Sequence, residues 1–311
     1  MAALSTRAGS VLRPPLKVAL AEPVAALPRG AGLAYEPKFD GHRLLVFTLD
    51  GTAVLQARSG RIVTAAFPDL ADAALALPDG TVLDGEVVVW TGGRIDFAAV
   101  QRRAAATVSR AALLARRLPA SYAAFDLLAE GGRDLRSAPY ERRRGRLVGL
   151  VGPLGPPLQP VPMTTDAELA ATWYETLTAT GVEGLVIKRL GGPYRPGARD
   201  WRKLRHTHVR DAAVVGFTGP ADRPAALALV LPDDDTPVVS SPLPPALRSH
   251  AATTLAGRGT GAADGVAMAI GVGEVPYRGV VPGLVAEVER GTTRHSVVTV
   301  LRLRDDLINQ V

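Results

Sequence analysis

Cysteine is absent from this 311-residue chain. That excludes disulfides, thiolate zinc centres and a cysteine nucleophile, and it suits a reducing cytoplasm. Long apolar runs are missing too. No stretch approaches the roughly 18 residues that would cross a bilayer, so no membrane partner is expected. The opening MAALSTRAGSVLRPPLKVAL scatters charge and proline where a leader would carry an apolar core, and no signal peptide is expected. No internal repeat of fixed period occurs. The glycine cradles that hold nucleotide phosphates are also absent: there is no G-x-x-x-x-G-K-[ST] and no G-x-G-x-x-G after a strand, and RGAGLAY reads as a loop. A nucleotide bound here must be held by side chains.

Lysine is nearly missing, with 4 against 32 arginines. This is the bias of a GC-rich genome, in which arginine replaces lysine wherever either cation serves. The positions that stayed lysine therefore matter: Lys17, Lys38, Lys188 and Lys203. Arginine stays protonated, whereas a lysine can lose its proton and attack an electrophile. The formal charge of +6 and a pI near 10.0 suit a polyanionic partner.

The length allows two domains. The segment through Pro28, rich in proline and alanine, is expected to wrap the first of them. RLLVFTLDGTAVLQARSG predicts a hairpin turning at Asp50-Gly51. TVLDGEVVVW, ASYAAFDLL and EGLVIKR read as strands. FAAVQRRAAATVSRAALLARRL reads as helix and PYERRRGRLVGLV as a basic helix whose RRRGR run faces solvent. Thr165 and Glu168 form a capping-box pattern for a further helix. After about His208 the texture changes to short strands with Gly, Pro and Asp punctuation and little helix, which predicts a small β-barrel over 209–311 behind a first domain of 1–208.

The densest constellation is YEPKFDGHR, residues 35–43. On an extended segment Glu36, Lys38 and Asp40 share one face. A bare E-x-K-x-D is ordinarily a charged exposed edge, but Gly41 and Arg43 complete Lys-x-Asp-Gly-x-Arg. Further motifs follow in order: QARSG with Arg58, LDGEVVVW with Glu86, YAAFDLL with Phe125, EGLVIKR with Glu183 and Lys188, WRKLRH with Lys203 and Arg205, and TRHSVVTVLRLRDD near the end. Three of the four lysines fall on these motifs.

Taken together, these motifs resemble the covalent nucleotidyltransferases, and with the flanks FPDL, RIDFAAVQRR and PYERRR they resemble ATP-dependent DNA ligases of the short, two-domain, bacterial ligase C type. The resemblance implies an α+β fold: a nucleotidyltransferase (adenylation) domain of antiparallel sheets with helices, followed by a C-terminal OB-fold β-barrel. It implies ATP and Mg²⁺, with Mn²⁺ as a substitute, and nicked duplex DNA as substrate for a monomeric, nucleoid-associated cytoplasmic enzyme working with DNA repair proteins. Lys38 would be the nucleophile, oriented by Asp40. Glu36 would contact the adenine amine, Phe125 would stack on the base, and Glu86 would hold the ribose. Arg43 and Arg58 would contact ribose or the nick phosphate. Glu183, with Glu86, would hold the metal, and Lys188, Lys203 and Arg205 would neutralise the α-phosphate. Arg304, with Arg302 next, would meet the outer phosphates during adenylation. The sequence departs from the family pattern at Arg205, where many relatives carry lysine, and at Leu307, where the terminal motif usually has lysine.

The chemistry makes a demand of its own. A lysine with pKa ~10.4 is neutral in only about one molecule in 2,500 at pH 7, a penalty of roughly 4.6 kcal/mol unless the site lowers it. An RNA ligase or a GTP-using capping enzyme would use the same chemistry. A catalytically idle OB-type nucleic-acid-binding protein would need only the barrel.

Overall fold

In the computed structural model the described residues are 12–232, 234–256, 263–270, 272–291 and 297–304. By contacts the chain divides between Arg205 and His206 into two compact units of mixed α+β structure.

The first unit is built from two sheets. In one, the strands run in the order Ala21–Pro23, Trp201–Arg205, Val182–Arg189, Leu33–Phe39. In the other, the order is Thr52–Ala57, His42–Leu49, Val82–Thr91, Ala120–Glu130, Arg133–Asp134. The chain passes from the first sheet to the second at Asp40-Gly41, between the strands Leu33–Phe39 and His42–Leu49. Gly41 is required by space: a Cβ there would lie 2.1 Å from the Val87 carbonyl oxygen. The hairpin turns at Asp50 and Gly51, with φ 53° and 72°, the left-handed pair that a two-residue type I′ turn needs.

Both faces of His42–Leu49 are buried, so it reads as a nearly continuous apolar run. Leu44 and Val46 join a core with Phe67, Leu70, Leu127 and Leu147, while Leu45 and Phe47 join another with Leu12, Val18, Tyr194 and Trp201. The second core shows the opening segment wrapping this unit from Leu12 onward, and Leu16 exchanges two 2.8 Å hydrogen bonds with the Gln56 side chain.

Three local expectations are corrected. The long helical stretch is two helices, Phe97–Ala104 and Val108–Arg117, with Arg103 near the end of the first buried and bonded to Asp69 and the Leu118 carbonyl. The next helix, Ala167–Thr176, is capped by Asp166, which accepts from the N–H groups of Glu168 and Leu169, and not by Thr165. The helix Tyr140–Val151 does not carry RRRGR as a solvated face. Arg143 and Arg144 are buried, because Arg143 forms a bidentate ion pair with Asp126 (2.7 and 3.0 Å) and Arg144 reaches the Val161 carbonyl.

In the second unit, Thr207–Thr218 pairs with Ala226–Leu231, which pairs with Asp234–Val239. A parallel bridge from Ser240 to Val298 continues the ring into Val298–Leu303, which pairs with Val285–Gly291, and that strand returns to Thr207–Thr218. First, second, third, fifth, fourth and back to first is a closed five-stranded order compatible with an OB-like barrel. The hairpin Gly265–Ala269/Gly273–Gly279 is attached to it. Little helix was expected here, yet Pro245–Ala256 is helical and buries Ala251 and Leu255 against the barrel core. Among the described residues no helix is long and apolar enough to cross a membrane.

Candidate active site

Strand register assembles the motifs. Lys38 pairs with Gly184, which pairs on its other side with Arg205; Glu36 pairs with Val186, which pairs with Lys203. On the second sheet Arg43 pairs with Glu86, and Asp84 with Asp126. Gly184 makes the close approach possible: its φ is +147°, and a Cβ would sit 1.9 Å from the Leu204 carbonyl oxygen. A cleft of ≈ 680 Å³ in the first unit is lined by Glu36, Lys38, Asp40, Arg43, Arg58, Glu86, Phe125, Glu183, Lys188, Lys203 and Arg205. Every site residue expected in this unit therefore reaches one cavity.

At its centre the Lys38 amine donates to the Glu183 carboxylate, whose second oxygen lies 3.0 Å from Arg205 Nε. Burial, with repulsion from Glu183, pushes the Asp40 carboxyl up to about 6 against the pull of Lys38 and Arg205. Burial pushes the Glu86 carboxyl up to about 7. Burial and the neighbouring Arg205 and Lys38 charges hold the Lys203 amine below its usual value. Arg58 is an exposed cation of the lining.

Lys188 lies elsewhere than the phosphate-neutralising role implies. It is 1 % exposed, 2.8 Å from Glu36 Oε2, and it donates to the Phe125 carbonyl at 2.7 Å. The rings of Trp201, Tyr140 and Phe125 surround its ammonium at 4.3, 4.6 and 4.8 Å. Its charge is committed beside Glu36 and Phe125, and burial pulls its pKa down against Glu36. Arg43 is likewise committed. Nε and Nη2 donate to Asp84 at 2.9 and 2.6 Å, Nη1 donates to the Ala19 carbonyl at 2.6 Å, and the guanidinium lies against Phe125 and Trp201. Its geometry is that of a brace for the cavity wall, in place of a free phosphate ligand.

Three aromatic residues outside the expected set hold these groups. Tyr194 donates to Asp84 at 2.6 Å, Tyr140 donates to Glu36, and Trp201 packs edge-on to Phe125 with ring centroids 5.8 Å apart. The available signal was their position: Tyr140 and Trp201 stand in PYERRR and DWRKLRH, beside the motifs that were read. In the second unit Arg304 Nη1 lies 3.1 Å from Asp211, and Arg302 Nε lies 2.8 Å from Glu287, which Arg304 also approaches at 3.9 Å. Leu307 lies outside the described residues. Among the described residues no cluster of three or more His, Cys, Asp or Glu forms a metal cage.

The profile of the ATP-dependent DNA ligase domain matches residues 17–205. DNA ligase C2 of Mycolicibacterium smegmatis is 37% identical over 231 residues, covering 73% of this chain and 65% of that protein. DNA ligase C of Mycobacterium tuberculosis is 37% identical over 209 residues, covering 66% of this chain and 58% of that protein. The chain thus spans roughly three-fifths of the length of these relatives. Among solved structures, a mycobacterial DNA ligase D complexed with ATP and MES is similar at 25% identity and TM-score 0.52, covering 95% of this chain and 97% of that one. The chain belongs to the ATP-dependent DNA ligase family.

Proposed function

We propose, from that membership, that this protein seals nicks between a 5′-phosphate and a 3′-hydroxyl in duplex DNA at the expense of ATP. The observation that carries the reading is the placement of Lys38, a scarce lysine held against Glu183 in a cleft that also contains Glu86, Phe125, Lys203 and Arg205. Residues 1–208 would act as the adenylation domain and 209–311 as an OB-fold domain.

Lys38 attacks the α-phosphorus of ATP, forming a lysyl-AMP phosphoramidate as pyrophosphate leaves. The AMP passes to the 5′-phosphate of the nick, and the 3′-hydroxyl then displaces it. Each step is an in-line phosphoryl transfer, in which positioning and charge neutralisation carry most of the catalysis. Phe125 offers its ring to the base and Glu36 an acceptor to the adenine amine. Asp40 orients Lys38, and Glu86 holds the ribose. Lys203, Arg205 and Arg58 face the phosphates, and Arg304 meets the leaving pyrophosphate.

Mg²⁺ fits the donor set. It is held by one or two carboxylates together with substrate phosphates instead of by an all-protein cage, and Glu183 and Glu86 are hard oxygen donors in the lining. When bound it neutralises phosphate charge. We infer in addition a monomer that works on nucleoid DNA in the cytoplasm alongside repair proteins. The deciding measurement is gel sealing of a labelled nicked duplex with ATP, beside GTP and NAD⁺. Sealing supported only by NAD⁺, or no sealing and no labelled protein with ATP, would refute the reading.

A further inference from the structure

Behind the cleft lies a buried polar cluster. Glu36 is 2 % exposed, yet it belongs to the cleft lining. Its Oε1 accepts from the Tyr140 hydroxyl, and Oε2 lies 2.8 Å from Lys188 Nζ. Arg144 Nη1 is 3.9 Å from Oε1 and has no hydrogen-bond partner, although it is buried. Arg144 Nη2 donates to the carbonyl of Val161, another lining residue. Tyr140 and Arg144 stand four residues apart on the helix Tyr140–Val151, so they share one face of it. That face therefore holds Glu36 from behind and Val161 beside it. A buried guanidinium nitrogen without a protein partner is costly, and here its nearest carboxylate is Glu36.

Base selection poses a geometric problem. An acceptor carboxylate suits the 6-amino group of adenine and repels the 6-oxo group of guanine. Guanine, however, carries an N1–H on the same edge. A carboxylate free to swing would accept from that donor and lose its preference. A carboxylate with one oxygen tied to a hydroxyl and the other to an ammonium cannot swing. Burial and the adjacent Glu36 push the Tyr140 phenol far above its usual value, so it remains a donor.

We propose that Tyr140, with Arg144 on the same helix face 3.9 Å from Glu36, is the positioning residue through which this cleft selects adenine over guanine, by fixing the direction in which Glu36 accepts. The inference rests on reading the cleft as the ATP site. It concerns the helix behind the sheet, whose residues are absent from the cleft lining.

Tyr140→Phe tests it, because the ring packed 4.6 Å from Lys188 stays and only the donor goes. Adduct formation would be followed with α-labelled ATP, GTP and purine riboside triphosphate, which has nothing at position 6. The ATP/GTP ratio of kcat/KM should fall about tenfold or more, the scale of a hydrogen bond to a charged group. KM for ATP should rise while kcat changes little, and KM for purine riboside triphosphate should stay put. An equal loss on all three nucleotides would mean that Tyr140 is merely structural. An unchanged ATP/GTP ratio would overturn the proposal outright. If Tyr140→Phe does not fold, Arg144→Lys must show the same base-dependent loss or the proposal fails. No adduct with ATP in the unaltered protein would sink the reading of the cleft and this inference with it. An adduct with unaltered selectivity in the variants sinks the inference alone.

Discussion

Lys38 donates to Glu183 across adjacent strands, one residue from its register partner Gly184. The same carboxylate takes Arg205 on its other oxygen. If Glu183 holds a metal ion, as proposed, that ion would have to compete with both cations for its oxygens.

Lys38→Ala should abolish the covalent AMP adduct and leave nicked-DNA binding largely intact. Lys38→Arg should be equally inactive, because a guanidinium does not give up its proton. Label transfer from ATP to protein checks both. Undiminished adduct in either variant would remove Lys38 from the mechanism.

The raised carboxyls give a stability profile of definite sign. Glu86 titrates near 7 in the folded protein against an ordinary 4.5, and Asp40 near 6 against 3.8. Between those values the folded state binds more protons than the unfolded chain, so their contribution is fully present at low pH and is lost as pH rises through the folded values. Glu86→Gln should flatten the upper part of this decline, raising Tm at pH 8 relative to pH 5 by roughly 5–10 °C compared with the parent. Parallel Tm profiles would contradict the placement of Glu86.

Arg143 and Asp126 are both fully buried. Arg143→Ala leaves an uncompensated carboxylate and should cost about 3–5 kcal/mol in denaturant unfolding. Its exposed neighbour offers the control: Arg142→Ala should fall within about 0.5 kcal/mol of the parent. Similar losses in the two variants would restore the solvated-face reading of this helix.

Arg304→Ala should slow adenylation about 10²–10³-fold, the scale of a lost transition-state donor, because pyrophosphate builds charge as it leaves. Sealing of a nick that already carries 5′-AMP should be spared. Since Arg304 pairs with Asp211 in the barrel, equal damage to both steps would identify it as a support of that unit.

Nick binding should weaken steeply with salt. At least about four phosphate contacts are expected for this charge, each adding about −0.9 to the log–log slope. Filter binding from low to moderate salt measures it, and a flat profile would point to a substrate other than DNA.

Order along the chain was enough to pick out the candidate residues that the first unit gathers around one cleft. Lys38 stood out because the composition leaves few lysines, and the motifs around it combine residue types that the chemistry requires at any spacing in space. The Asp50-Gly51 turn was equally legible, since its conformation depends on two local residues. What tertiary structure alone decided was how each charge is spent. Nothing local in RRRGR distinguishes a solvated arginine from Arg143, which meets Asp126 only because a helix lies across the strand Ala120–Glu130. Lys188 and Arg43 sit on motif positions, yet their partners Glu36 and Asp84 lie 152 and 41 residues away and exhaust much of their donor capacity. The cap at Asp166 is local, its side chain accepting from the next N–H groups, whereas the helix Pro245–Ala256 buries Ala251 and Leu255 against the core of the second unit. Chemistry follows residue type and order, whereas burial and pairing are properties of the packed sheets, and these determine which of two identical side chains remains free to act.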